Sequence, residues 1–320
     1  MRKFSFYLLG SLFLVIAIFL ICKPAVYAQA CFEGLKIWAI TVLPSLLPFF
    51  FISLLFTNCG YAQVLCNKLK KPIFYLYGAP SISAFVQIMS FISGYPVGAK
   101  LISQLYKEGA ITAEESTKIS LFTSTSGPMF IVGSVGAGLF LSQKAGIILL
   151  VSHLLSAILN GIIFKNYHKS TNSTLPKTTK SNNILYDCAY GATLSCLIVG
   201  AFIAVFFVFN KILIDLNAFS PLVFIFSILF KDKEKALAFC AGLIECTNGC
   251  ILFAKTQGVL TLPLTAFIIT FGGVSVLVQS ISFLKEAKVN IKVFLLSKVL
   301  QAVNSFIICL AIIKFTNLTL

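Results

Sequence analysis

The sequence predicts an all-α polytopic membrane protein: an inverted repeat with two re-entrant hairpins and two broken transmembrane helices. Three observations carry that expectation. The 320-residue chain is 58% apolar and 11% charged, with a mean hydropathy of +0.96, and it holds several apolar runs near the roughly 20 residues that a spanning helix needs. Two of these runs are interrupted, at Ser93-Gly94-Tyr95-Pro96-Val97-Gly98-Ala99-Lys100 and at Thr123-Ser124-Thr125-Ser126-Gly127-Pro128. Backbone that stops being helical at membrane depth leaves polar groups unpaired, so it persists only where protein or a water-filled cavity covers it. Finally, the order of elements before the polar linker at 165–183 is repeated after it.

Taken in order, residues 1–43 read as an N-terminal transmembrane helix and an amphipathic lead-in. The apolar run from Phe4 to Cys22 follows Arg2 and Lys3 and exceeds the roughly 7 to 15 residues of a signal-peptide core, which favours a retained helix over cleavage near Ala28-Gln29-Ala30. Glu33 and Lys36 fall in the lead-in and read as solvated. Residues 44–164 form the first repeat. A helix carrying Pro44 and Pro48 runs to about Cys59, and a basic interfacial stretch from Asn67 to Pro72 follows. Ser81 to Ser93 then stops at Gly94-Tyr95-Pro96, and a second arm runs from Val97 to Glu108. At 1.5 Å per residue each arm rises about 20 Å, too little to cross a core of about 30 Å, so a re-entrant hairpin is expected. Thr112 and Glu115 form a capping-box pattern that starts the next helix. That helix is expected to run through Phe122, break at Ser126-Gly127-Pro128 and resume to about Leu141, because proline removes a ladder donor and glycine eases the bend. Lys144 to Phe164 is an ordinary span.

Residues 165–183 carry Ser, Thr, Asn and Lys without apolar periodicity and read as a flexible, cytoplasmic linker. Residues 184–320 repeat the grammar. Ile184 to Asn210 is a span, Ala218 to Phe230 a short apolar segment, and Ala236 to Phe253 a hairpin broken by Glu245-Cys246-Thr247-Asn248-Gly249. Leu260 to Phe283 is a helix broken at Gly272-Gly273-Val274-Ser275, and Ile291 to Lys314 the last span.

The formal charge of +15 would suggest nucleic acid in a soluble chain. Here the Lys residues flank apolar runs, so their charge orients helices in a lipid bilayer and no nucleic-acid partner is expected. With the N-terminus cytoplasmic and three full crossings plus a hairpin per half, that side receives Arg2, Lys3, Lys68, Lys70, Lys71, Lys107, Lys165, Lys169, Lys177, Lys180, Lys285 and Lys288. The other side receives Lys23, Lys144, Lys211, Lys231, Lys233, Lys235 and Lys255. The ten Cys form no CxxC pair and lie mostly in apolar stretches, where free Cys packs as a small hydrophobe. No metal site and no cofactor are expected.

The strings Ser93 to Lys100, Phe122 to Gly136, Gly242 to Gly249 and Phe271 to Ser280 resemble those of the YlbJ-type sporulation integral membrane proteins, which carry nucleoside-recognition gate domains. The resemblance covers roughly Pro44 to Phe315. It implies a fold similar to concentrative nucleoside transporters, and a role in moving dipicolinate across the outer, mother-cell-derived membrane of the forming spore.

The residues make chemical sense beside that resemblance. Breaks at the midplane present helix N-termini and free N–H groups to carboxylates. The candidate substrate-binding set is Gly94, Tyr95, Pro96, Gly98, Lys100, Thr123, Ser124, Thr125, Ser126, Gly127, Thr247, Asn248, Gly249, Gly272, Gly273, Ser275 and Gln279. Lys100 adds a full positive charge near the first tip, or else snorkels to the surface. The hydroxyls of Thr123 to Ser126 either reach a small anionic substrate or a sodium ion, or bond back within their own helix. Glu245, an acid in an apolar stretch, is the candidate for sodium-ion or proton coupling; its structural alternatives are a pair with Lys100 or a backbone amide. His153 reads as core packing or an interhelical hydrogen bond. An enzyme is not expected: no HExxH, GxSxG or Walker A motif is present, and two His with ten acids leave little for acid–base chemistry. A nucleoside or other small-solute carrier and a non-transporting scaffold are the rival readings, and assembly of the chain into a homo-oligomer is left open.

Overall fold

The computed structural model describes residues 14, 16–59, 61–170 and 183–316. The start of the expected first helix (1–13), the middle of the linker (171–182) and the last four residues of the second repeat lie outside them. Among the described residues all regular structure is helical, and the chain is an all-α polytopic membrane protein.

Helix α1 (Ile16–Cys22) meets α2 (Pro24–Ile37) at a sharp bend, and a π-helical turn, π1 (Trp38–Val42), carries α2 into α3 (Leu43–Asn58). Next come α4 (Tyr61–Tyr77), which contains the basic stretch, then α5 (Ile82–Ser93), α6 (Val97–Lys107), α7 (Ala113–Ser120), the π-helix π2 (Met129–Leu139) and α8 (Gln143–Ile163). The second half holds α9 (Ile184–Asp215), α10 (Ser220–Phe230), α11 (Lys233–Ile244), α12 (Cys246–Phe253), α13 (Thr261–Phe271), α14 (Gly273–Glu286) and α15 (Ile291–Thr316). Four segments are long and apolar enough to cross a membrane: α8, α9, the run Thr261–Glu286 through α13 and α14, and α15. Counting each sharply bent pair as one span raises the number to six.

Both hairpins fold back. A Cβ on Gly98 would collide with the Ser90 hydroxyl, and one on Gly249 would meet Gly242, although such residues lie on the order of 10 Å apart along a continuous helix. Contacts at the helix ends then fix how the repeats are related. Ser170 N donates to Gly78 O (3.1 Å), Lys118 Nζ to Lys165 O (2.9 Å), Asn290 N to Thr117 Oγ1 (3.0 Å), and Lys107 pairs with Glu286 (2.7 Å). One face of the molecule therefore gathers the starts of α5, α7 and α15 with the ends of α6, α8 and α14. Helix α9 leaves that face and ends on the other, where Asp215 accepts from the Tyr27 hydroxyl (3.2 Å). Hairpin α5–α6 opens toward the first face and hairpin α11–α12 toward the second, which is the inverted relation that the order of elements and the Lys distribution predict.

The breaks differ in detail from the sequence expectations. The Thr112–Glu115 capping box is present (Thr112 N to Glu115 Oε2 2.8 Å, Glu115 N to Thr112 Oγ1 3.2 Å), but α7 ends at Ser120 and the unwound stretch is longer, covering 121–127. There Thr125 Oγ1 donates to Ser90 O (2.9 Å) on the hairpin, a side-chain bond that competes with the helical ladder. The second hairpin is non-helical at Glu245 alone, because its carboxylate caps α12 by accepting from Asn248 N (2.7 Å), so residues 246–249 are helical. Likewise only Gly272 is non-helical in the last broken helix. Gly272 and Gly273 hold φ of +85° and +71°, a region glycine enters without the Cβ penalty, and Ser275 already belongs to α14.

Candidate functional site

Each hairpin tip meets the break of its own repeat. Gly94, at φ +80°, lies so close to Gly127 that a Cβ would collide with its backbone; Gly273 packs against Gly242 O and Ile244 O at the second tip. Four helices therefore start at the breaks (α6, π2, α12 and α14) and three end there (α5, α11 and α13), while α7 ends nearer the first face, before the unwound stretch 121–127.

All four breaks border one cavity of about 60 Å³. The first tip contributes Tyr95, the second break Ser126 and Gly127, the second tip Glu245 and Thr247, and the last break Ser275 and Gln279. Gln279 Nε2 lies 3.4 Å from Ser275 Oγ. The opposite wall is apolar, formed by Val42, Leu46, Val199 and Ile203 from π1, α3 and α9. Glu245, 1% exposed, sits at the positive end of α12, where the capping amide and the helix dipole favour a carboxylate.

The other expected site residues do not line this cavity. Gly94 and Gly98 permit close backbone approach, and Gly98 abuts Thr123 O; Pro96 caps the start of α6. Thr123 bonds back to Ile119 O (2.9 Å). Asn248 offers its amide to Glu245, Gly249 packs on Gly242, and Gly272 ends α13. Lys100 points elsewhere: its ammonium donates to Ser195 Oγ on α9 (3.0 Å), beside a separate cavity of about 30 Å³ with Phe50, Ser53 and Gln104.

Beneath the first tip lies a polar cluster that the sequence reading missed. Lys298 of α15, 1% exposed, donates to Thr270 O (2.6 Å), Tyr95 Oη (2.9 Å) and Ser124 O (3.0 Å), with Gln301 Oε1 at 3.4 Å. The Tyr95 hydroxyl donates to Thr270 O (2.9 Å). His153 of α8 accepts from Ser126 N at Nε2 (2.8 Å), which leaves the proton on Nδ1, 2.8 Å from Thr270 Oγ1. The last helix of each repeat thus reaches breaks in both halves, and Thr270 is the hub. An ionisable residue within a span is a signal in its own right; applied to Lys298 as it was to Glu245, it would have found this cluster.

No family model matches the chain, and no solved structure matches it. Among curated proteins, the sporulation integral membrane protein YlbJ of Bacillus subtilis (strain 168) is 29% identical over 347 residues, covering 98% of this chain and 84% of that protein. The chain is YlbJ-like along its length. This extent exceeds the motif strings and takes in α1 to α3, so the YlbJ-type resemblance embraces the apolar wall of the cavity as well as its breaks. It goes with an integral, multi-pass membrane protein in contact with the lipid bilayer.

Proposed function

We propose that this YlbJ-type chain is a sporulation-associated transporter that moves a small anionic metabolite, dipicolinate first among candidates, across the outer forespore membrane, and that it is not an enzyme. The observation that carries the reading is the meeting of four helix breaks on one cavity, the arrangement in which secondary transporters hold substrate. The sporulation setting rests on the name of the Bacillus relative; the choice of dipicolinate rests on the motif resemblance.

The chemistry of the cavity suits an aromatic anion once the Glu245 carboxylate on the same wall is neutralised by its coupling proton or cation. The N-termini of π2 and α14, with Ser126 and Ser275, supply donors and positive potential on one side, while Val42, Leu46, Val199 and Ile203 supply an apolar surface for a ring. Lys298 adds positive potential behind Tyr95.

Uptake of labelled dipicolinate and of labelled uridine into proteoliposomes, with and without sodium or proton gradients, tests the proposal. Saturable dipicolinate uptake that exceeds uridine uptake supports it. Preference for uridine would favour the nucleoside reading, and absence of uptake for both would favour a scaffold.

A further inference from the structure

The oxygens around Lys298 are those that a transporter usually offers a metal cation. Unwound backbone carbonyls and the C-terminal ends of half-helices are where secondary transporters coordinate sodium. Here Thr270 O lies in the last turn of α13, at the negative end of a half-helix, and Ser124 O is an unwound backbone carbonyl in the stretch after α7. Tyr95 and Gln301 complete the shell. We infer that the Lys298 ammonium is a tethered internal cation that takes the place of a coupling sodium ion between the two broken helices, making transport sodium-independent.

Hydrogen counting favours the ammonium. Three oxygens lie within 3.0 Å of Nζ, and each must accept. Two are carbonyls, and the third belongs to a phenol whose own proton is already donated to Thr270 O. An ammonium has three donors for these three acceptors, whereas a neutral amine has two N–H groups and requires the Tyr95 hydroxyl to turn from Thr270 O toward its lone pair. Gln301 agrees. Its amide oxygen faces Lys298 while its buried Nε2 has no partner among the described residues, an orientation that sacrifices one hydrogen bond to place an oxygen toward the cation. The oxygen partners are neutral groups, so the C-terminal end of α13 and the oxygen shell, not a carboxylate, compensate the buried charge.

The inference rests on the transport reading for its consequence but not for its test. Lys298→Ala should lower the unfolding temperature of the detergent-purified chain, and propylammonium or sodium at matched ionic strength should restore part of that loss relative to choline, whereas the wild type should respond to neither. Equal responses of variant and wild type would overturn the inference. If the alanine variant does not fold, Lys298→Met, which keeps an apolar stem, enters the same titration. In proteoliposomes, wild-type dipicolinate uptake should be unchanged when choline replaces sodium; a loss of about tenfold, equivalent to about 1.4 kcal/mol, would overturn sodium independence. A wild type that moves no dipicolinate in any salt overturns the transport reading instead, and the thermal titration still decides what the ammonium does.

Discussion

Hairpins α5–α6 and α11–α12 hold equivalent places in the two repeats, yet they are anchored in opposite ways. The first is tied across the repeat boundary at both ends: at its tip Tyr95 bonds to Thr270 and Lys298, and at its outer end Ser103 and Lys107 bond to Glu286 of α14 (both 2.7 Å). The second is tied largely to itself. Glu245 caps the hairpin's own second arm, Gly242 packs on Gly249, and Asp232 caps α11 while pairing with Lys235. Its polar ties to the rest of the fold stay within the second repeat: Asn210 Nδ2 of α9 to Ala241 O (3.0 Å) and, past the end of α12, Thr256 Oγ1 with Thr261 Oγ1 at the start of α13 (3.2 Å). The difference marks α5–α6 as the hairpin whose polar ties couple the two repeats, while those of α11–α12 stay within its own repeat.

The largest expected effect comes from the close backbone contact at the first tip. Gly94→Leu places a side chain against Gly127 at φ +80° and ψ −167°, a region essentially reserved for glycine that costs other residues on the order of 1–3 kcal/mol before any clash. Gly94→Leu and Gly127→Leu should each abolish uptake while membrane insertion, read by fractionation, persists. Normal uptake in both at matched protein levels would reduce the breaks to kinks.

Next is the tie across repeats. Tyr95→Phe removes one acceptor from Lys298 and one donor from Thr270, leaving a buried N–H without its partner at a cost of about 1–3 kcal/mol. Thermal unfolding should show that loss. For the second tip, Glu245→Ala should cost about 1 kcal/mol through the lost cap, and Glu245→Gln, which keeps an acceptor, clearly less. Equal costs for Tyr95→Phe and Glu245→Gln would erase the asymmetry between the tips.

The smallest effect lies at the outer end of the second hairpin. Asp232 is held below the ordinary carboxylate range, first by its hydrogen bond from Lys235 and then by backbone amides of the first turn of α11. A depressed folded-state pKa stabilises the protein above the unfolded value, near 3.9 for Asp, and that contribution disappears as pH falls through the lower folded value. The stability advantage of wild type over Asp232→Asn should accordingly shrink steadily as pH is lowered from neutrality through and below the unfolded value. An advantage that does not change with pH would place it in packing.

Topology can be sharpened without perturbing either hairpin. Lys169 and Lys233 are exposed on opposite faces, separated by α9, so single Cys probes there, in a Cys-free background, should react with an impermeant reagent from opposite sides, with position 169 cytoplasmic. Labelling from the same side would remove the inverted arrangement.

The membrane class, the order of elements, the capping box and the location of all four breaks were legible in the sequence, because each depends on residues within a turn or two: hydropathy over a spanning length, glycine at positive φ, proline without a donor, a hydroxyl paired with an acid three residues on. Even so, the extents of the breaks shifted where a side chain competed for the backbone, as Glu245 does in starting α12 at once. What only the tertiary structure decided is which polar groups meet. Thr270 and Tyr95 are 175 positions apart and Lys298 and Ser124 174; their encounter depends on how α13 and α15 are rotated about their axes. Successive residues on a helix differ by about 100° in direction, and neither propensity nor hydropathy sets the absolute angle once a span is apolar on nearly every side. Packing against neighbouring helices sets it, turning Lys298 inward under Tyr95 while Lys100, only a turn beyond the first tip, faces Ser195 on α9.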